Sequence, residues 1–335
     1  METPRYRITN RLLGTLEKLA GLASKISGSL LKLPMRLRLE QEAIRRSAHS
    51  STSIEGNELS LGQVADLSER KPVWADSRQK QEVVNYLKAL RWVTRQSGKP
   101  LDEEKLLRLH VLITEGLLDK ARAGRYKVKQ NYVMDGGGRV VYTPPAPAVT
   151  PRFTRDLLKW TGKSVDVHPV IVSAVFHHRL VSIHPFSDGN GRVARAGAQW
   201  ILYQRGFDPG HFYPLDDFFA KDRDRYYEKI QQARELDNDL TYWIEYVAEG
   251  LLAACEDTHE RIRSLSRSVK EKITVTPKQE SLLDLLRGKG GLGSAELGRK
   301  LKIHRARVHQ LTAPLVRAGI LKQEGRARAV RYYLF

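Results

Sequence analysis

Apolar residues recur every three or four positions along most of the chain, with charged residues between them, so most of it reads as amphipathic helix. Residues 11–49 place leucines at this interval and break near Pro34. Residues 78–96 and 101–118 repeat the period, the second opening after Lys99-Pro100 with acids in its first turn. A turn is expected at Glu55-Gly56-Asn57. The pattern changes at 131, where NYVMDGGGRVVYTPP offers two short runs around Asp135-Gly136-Gly137-Gly138, a β-hairpin signal. Helical spacing returns over 151–162, 168–183, 191–206, 222–234 and 238 to about 265. The expected fold class is mainly α, a helical bundle with one β-hairpin and a small second domain.

That second domain follows a polar stretch, SLSRSVKEKITVTPKQE, at 264–280. Beyond it the chain reads as helix (278–287), helix (294–301), a tight turn at Lys302-Ile303, helix (304–318) and a hairpin from about 321 to 334. This is the order of a winged helix-turn-helix. Composition sharpens the boundary. Residues 268–335 hold fifteen Lys/Arg against five Asp/Glu, a net +10 out of +19 for the 335-residue chain. Such concentration marks a separate electrostatic unit and points to polyanion partners. Arg305, Arg307, His309 and Gln310 are the expected DNA contacts of the third helix, with Arg326, Arg328 and Arg331 of the wing on phosphates. A protein-binding or dimerising winged helix is the competing reading.

Other classes are excluded by composition. Hydrophobic residues at 41% and charged residues at 28% are ordinary for a globular chain. No stretch approaches the roughly 18 uninterrupted apolar residues of a membrane span, and METPRYRITN leads into no secretory signal, so no membrane partner and a cytoplasmic location are expected. The single cysteine, Cys255, precludes an intramolecular disulfide and a cysteine-rich zinc site.

The chemistry is concentrated in HPFSDGNGRVAR, residues 184–195. Gly189, Asn190 and Gly191 let consecutive backbone N–H groups converge at the start of a helix, a phosphate-binding nest. Around them stand one imidazole (His184), one carboxylate (Asp188) and two guanidiniums, Arg192 and Arg195, on one helical face. These are the parts of a nucleotide-triphosphate site: a base, a magnesium ligand and cations for phosphate oxygens. An EF-hand loop would need an acid or amide where Arg192 sits and a Glu where Gln199 sits. Zinc at His177, His178 and His184 lacks a completing ligand at any recognisable spacing. His177 and His178 read instead as packed and solvent-facing helix residues.

HPFSDGNGR resembles the complete signature of the Fic (filamentation induced by cAMP) family, H-P-F-x-[DE]-G-N-G-R, with Arg195 as the second arginine. The resemblance runs over roughly 50–250, including Thr143-Pro144-Pro145, Tyr226-Tyr227 and Trp243. It implies a Fic-type helical bundle with a β-hairpin flap and transfer of AMP from ATP to a Ser, Thr or Tyr hydroxyl of a target protein. By the resemblance, His184 is the general base, Asp188 holds Mg2+, and Gly189, Asn190, Gly191, Arg192 and Arg195 bind phosphate. Tyr227 is a candidate for adenine or ribose contact. An unperturbed imidazole pKa of about 6.5 suffices for the base, so no tuning of His184 is expected. The hairpin would align the target by strand addition. Upstream, Ser51-x-x-x-Glu55-Gly56 resembles the family's inhibitory motif, in which Glu55 would pair with Arg195 and keep it from the γ-phosphate.

Three regions follow: an N-terminal helical region with the inhibitory motif (1–100), a catalytic core (101–265) and the winged helix-turn-helix domain (268–335). A target protein is the expected partner, with self-modification, DNA and a homodimer as further expectations. Two alternatives remain open, a nucleotide-sensing DNA-binding regulator and a Fic-type enzyme that removes AMP.

Overall fold

A computed structural model of the chain describes residues 3–29, 31, 33–96, 98–134, 136–208, 210–268, 275–287, 291–318, 320–325 and 330–334. It divides into two compact units, one of residues 1–28 and 43–258, the other of 29–42 and 259–335. Residues 29–42 therefore belong with the basic tail. A cut at 268 would strip Leu37 of the tail residues that bury it.

The first unit is helical throughout, with one hairpin. Its helices are α1 (Asn10–Ser27), the end of α2 (Leu33–Ile54), α3 (Leu61–Ser68), α4 (Ser77–Gln96) and α5 (Glu103–Thr114). After the hairpin come α6 (Thr150–Lys163), α7 (Pro169–Ile183), α8 (Asn190–Gln204), α9 (Asp216–Lys221), α10 (Arg223–Glu235) and most of α11 (Thr241–Ser268). The expected break at Pro34 falls earlier, at Gly28, because a proline in the first turn of α2 has no intrahelical hydrogen bond to lose. The helix expected to reach 118 stops at Thr114, where Asn85 Nδ2 donates to the carbonyls of Ile113 (3.2 Å) and Glu115 (2.7 Å). Two short helices, α3 and α9, were not expected. The first is set by a Ser60–Gln63 capping box.

At the centre lie α7 and α8. Helix α7 is buried on every face, so its polar side chains must find partners inside. Ser173 donates to Ala198 O (2.9 Å), and His178 Nε2 lies 3.1 Å from Ile230 O. His178 is thus packed, not solvent-facing. Gly197 lets the two helices approach closely, since a β-carbon there would lie 2.6 Å from the Phe176 ring. Trp243, itself fully buried, donates to Ala174 O (2.8 Å) and locks α11 onto α7. Among the described residues no helix is long and apolar enough to cross a membrane.

The hairpin pairs β1 (Val133–Met134) with β2 (Val140–Tyr142), antiparallel, Val133 opposite Tyr142. Asp135 of its expected turn lies outside the described residues. Tyr132, Met134 and Val140 are each about half exposed on it.

The second unit contains α12 (Pro277–Leu286), β3 (Leu292–Gly293), α13 (Ser294–Leu301), α14 (Arg305–Arg317), β4 (Leu321–Glu324) and β5 (Arg331–Leu334), with sheet order β3-β5-β4. Leu37, Leu282, Leu286, Leu297, Val308 and Tyr332 are among the residues of its core. Lys302 turns the chain between α13 and α14 at φ 53°, and Ile303 N–H donates to Gly298 O (2.9 Å). Arg305, Arg307, His309 and Gln310 are exposed on α14, with Arg307 donating to Gln310 Oε1 (2.8 Å). Arg331 reaches back to Gly291 O (3.3 Å), while Arg326 and Arg328 lie outside the described residues.

Candidate active site

The 184–191 loop is held rigidly before any ligand arrives. His184 caps α7 in the left-handed region (φ 51°, ψ 59°), its N–H donating to Leu180 O. For a non-glycine residue this conformation costs of order 1 kcal/mol or more and persists only where the surroundings impose it. They do so through Phe186, fully buried and stacked on His110 with ring centroids 3.9 Å apart. The Asn190 side chain grips the Phe186 backbone twice, accepting from its N–H (2.9 Å) and donating to its carbonyl (2.8 Å). That side chain is thereby committed to holding the loop.

His110 adds a third tie that sequence reading missed. Its Nδ1 accepts from Gly124 N–H (2.8 Å), so Nε2 carries the proton and donates to Asp188 O (3.1 Å). Burial pushes its pKa down to about 4, which keeps this neutral tautomer. Asn131, at the root of the hairpin, supplies a fourth tie by donating to Phe186 O (2.9 Å), and itself accepts from Lys127 Nζ (2.7 Å). The loop and the hairpin thus share one framework.

His184 is oriented as a base. Its Nδ1 faces Val181 O at 3.2 Å, and a carbonyl can only accept, so Nδ1 carries the proton and Nε2 keeps its lone pair. The pKa departs from expectation: burial, aided by the positive charge of Lys127 and Arg234, pushes it down to about 4. The imidazole is accordingly neutral throughout the physiological range. NMR titration of the nucleotide-free protein should place the His184 midpoint near 4, with the charged form appearing only below about pH 5; a midpoint near the ordinary value of about 6.5 would contradict this.

Beyond the loop, α8 begins at Gly189 (φ 77°), and no side chain caps it. The open N–H groups of its first turn carry partial positive charge. Arg192, in that first turn, is 4% exposed, and its Nε and Nη1 make no hydrogen bond, Nη1 lying 3.9 Å from Glu82 Oε1. Buried orphan donors cost roughly 1–3 kcal/mol each, which an arriving anion would relieve. Asp188, 43% exposed in its side chain, accepts from Gly189 N–H (2.6 Å) and lies 3.5 Å from Arg192. No cluster of three metal-ligating side chains exists among the described residues. A lone carboxylate beside an anion cradle does fit Mg2+ carried on substrate phosphates, which needs only one or two protein carboxylates.

Arg195 is almost fully buried and ringed by acceptors. Its Nε donates to Ser51 Oγ (2.7 Å), and its Nη2 to Ser51 O (2.9 Å) and Glu55 Oε1 (2.6 Å). Its Nη1 reaches the Tyr226 hydroxyl (3.3 Å), which in turn meets His177 Nε2 (2.9 Å). The Ser51-x-x-x-Glu55 spacing places both acceptors on one face at the end of α2, and Gly56 (φ 95°) ends that helix so that Glu55 turns inward. Glu55 Oε1 lies where a β-carbon on Gly191 would stand, against the opening turn of α8. Burial alone would raise the Glu55 carboxyl, but Arg195, Arg192 and Arg223 together hold it below the usual carboxylate range. It is ionised beside the opening turn of α8. Tyr227 stands beside it, 40% exposed, its hydroxyl 3.4 Å from Ile54 O.

A mainly helical bundle whose two central helices are joined by this histidine-led glycine loop is a Fic-type fold with a phosphate-shaped site. Residues 100–202 match the sequence profile of the Fic/DOC family, and the chain carries a Fic domain. It is 31% identical over 273 residues to a protein adenylyltransferase Fic of Nematostella vectensis, covering 76% of this chain and 60% of that one. It is also 31% identical over 220 residues to protein adenylyltransferase fic-1 of Caenorhabditis elegans, covering 63% of this chain and 40% of the relative. The chain thus spans between two fifths and three fifths of the length of these curated relatives. A Fic family protein from Desulfovibrio desulfuricans G20 aligns over 100% of this chain and 98% of its own, with a TM-score of 0.69 and 25% identity.

Proposed function

We propose that the protein transfers AMP from ATP to a Ser, Thr or Tyr hydroxyl of a target protein and is restrained by its own Glu55. The observation that carries this reading is the pairing of His184, whose Nδ1 is turned to Val181 O so that Nε2 keeps its lone pair, with an uncapped α8 N-terminus whose second arginine is held by Glu55. The names of the Nematostella vectensis and Caenorhabditis elegans relatives support the same chemistry. The target hydroxyl oxygen forms a bond to the α-phosphorus, the bond to the bridging α–β oxygen breaks, and pyrophosphate leaves. The hydroxyl proton passes to His184 Nε2. Arg192 and the first turn of α8 hold phosphate oxygens, and Arg195, once released, takes the γ-phosphate. Asp188, with the substrate phosphates, would hold Mg2+, which when bound would supply charge neutralisation for the leaving group. The exposed edge of the hairpin offers backbone for strand addition by the target segment.

The deciding experiment is intact-mass spectrometry of the Glu55→Gly protein after incubation with ATP and Mg2+, alone and with a lysate fraction. Added mass equal to one AMP on this chain or a target supports transfer. Nucleotide binding without any added mass would favour a nucleotide-sensing regulator.

The second unit has its own reading, DNA contact through α14, which the exposure of Arg305, Arg307, His309 and Gln310 on one short helix favours. Duplex affinity of the full chain is expected to fall steeply with rising salt, and replacing Arg305 or Arg307, the expected base-edge contacts, should cost about 1–3 kcal/mol and relax sequence preference. Salt-independent or absent binding would assign the unit to a protein partner.

A further inference from the structure

Arg195 has a second carboxylate that the signature motifs do not contain. Asp216, the first residue of α9, is 1% exposed, and its Oδ1 lies 3.7 Å from Arg195 Nε, on the edge of the guanidinium where Ser51 Oγ also binds. Gln199, one turn along α8 from Arg195, fixes it by donating to Asp216 Oδ2 (3.0 Å) and to Ser47 Oγ (3.2 Å). The two acids differ in freedom. Glu55 follows the last turn of α2, next to a glycine with positive φ, and its side chain is 30% exposed; that of Asp216 is 2% exposed and enclosed.

We infer that Asp216 is a positioning residue, a fixed counter-ion that keeps Arg195 in its seat when Glu55 leaves, so that activation moves the glutamate and not the arginine. A buried guanidinium stripped of every carboxylate would be severely destabilised and would seek a new pose. Asp216 prevents this, together with Ser51 Oγ, Ser51 O and the Tyr226 hydroxyl, all of which stay bound to Arg195 when Glu55 is removed. Burial pushes the Asp216 carboxyl up to about 7, against the pull of Arg195. The inference deepens the proposed control by Glu55, but its test uses no nucleotide and stands apart from any transfer assay.

The test is a double-mutant cycle on the full chain, Glu55→Gly against Asp216→Asn, read by thermal unfolding in tryptophan fluorescence. Trp74, Trp92, Trp160, Trp200 and Trp243 all lie in the first unit, so the signal reports that unit. Either change alone leaves Arg195 one carboxylate, and the pair leaves none. The double variant is expected to melt roughly 5–10 °C below the sum of the two single losses. If the double variant fails to fold, Arg195→Met is added, which removes the charge needing compensation and is expected to restore folding. Equal losses from Asp216→Asn in both backgrounds, or no recovery with Arg195→Met, would overturn the inference by reducing Asp216 to a packing residue.

Discussion

Replacing His184 with asparagine is expected to lower AMP transfer by about a hundredfold to ten-thousandfold while leaving ATP affinity nearly unchanged, the range typical for loss of a general base. Asparagine is the better probe here than alanine because the position is left-handed (φ 51°), a region that asparagine tolerates and alanine resists. The proposed phosphate contacts lie elsewhere, on the first turn of α8 and on Arg192, so binding should survive. The measurement is single-turnover transfer together with ATP affinity by calorimetry. Transfer at the unmodified rate would remove His184 from the reaction. Loss of both transfer and binding would make it a support of the loop.

The depressed His184 pKa bears on the reaction cycle as well as on the resting protein. In the absence of nucleotide, an imidazole pushed down to about 4 is a weak base. Arrival of a triphosphate brings several negative charges close to the ring, and these favour the protonated form. On the proposed reading the same ring would be neutral and receptive before the hydroxyl docks and would become a stronger proton acceptor once ATP is bound. The tuning comes from burial and from Lys127 and Arg234, which lie 57 and 50 residues away in sequence and carry no motif of their own. No reading of the loop alone could have supplied it.

Legibility in the sequence follows the range of the interactions. The central helices were visible because periodicity is local, and the loop between them because its residues sit side by side in the chain. The turn at Lys302 was visible for the same reason. Helix α9 spans six residues, too few for a period to register, and α3, at eight, buries only Val64 and so shows no apolar stripe. The seat of Arg195 was half legible. Ser51 and Glu55 formed a recognisable spacing, whereas Asp216, Gln199, Tyr226 and His177 meet only because α7, α8, α9 and α10 converge on one buried cation. Strand β3 contributes two residues and pairs with β5 some 40 positions on, which no local pattern encodes. The grouping of residues 29–42 with the tail likewise rests on apolar contacts made by Leu37 far along the chain.

Glu55→Gly is expected to raise AMP transfer by about tenfold to a hundredfold, an increase caused by removing a carboxylate from an active site. The carboxylate does two things that the triphosphate must undo. It occupies Nη2 of Arg195 through a 2.6 Å charge-assisted bond, and it lies against Gly191 at the opening of α8, where phosphate oxygens would receive backbone N–H groups. Displacing one hydrogen bond to a charged group costs about 1.5–3 kcal/mol, which sets the size of the gain. With Glu55 absent, Ser51, Tyr226 and Asp216 still hold the guanidinium, and Nη2, which keeps one N–H on Ser51 O, has its other N–H free and already aimed. The γ-phosphate can then seat and bring the α-phosphorus into line with the hydroxyl, so the effect should appear mainly in the rate at saturating ATP. Arg195→Ala in the same background should erase the gain, because no cation remains to take the γ-phosphate. A Glu55→Gly protein that transfers AMP more slowly, and that has also lost the ability to strip AMP from a modified substrate, would make Glu55 a group that positions water for removal instead of a brake on transfer.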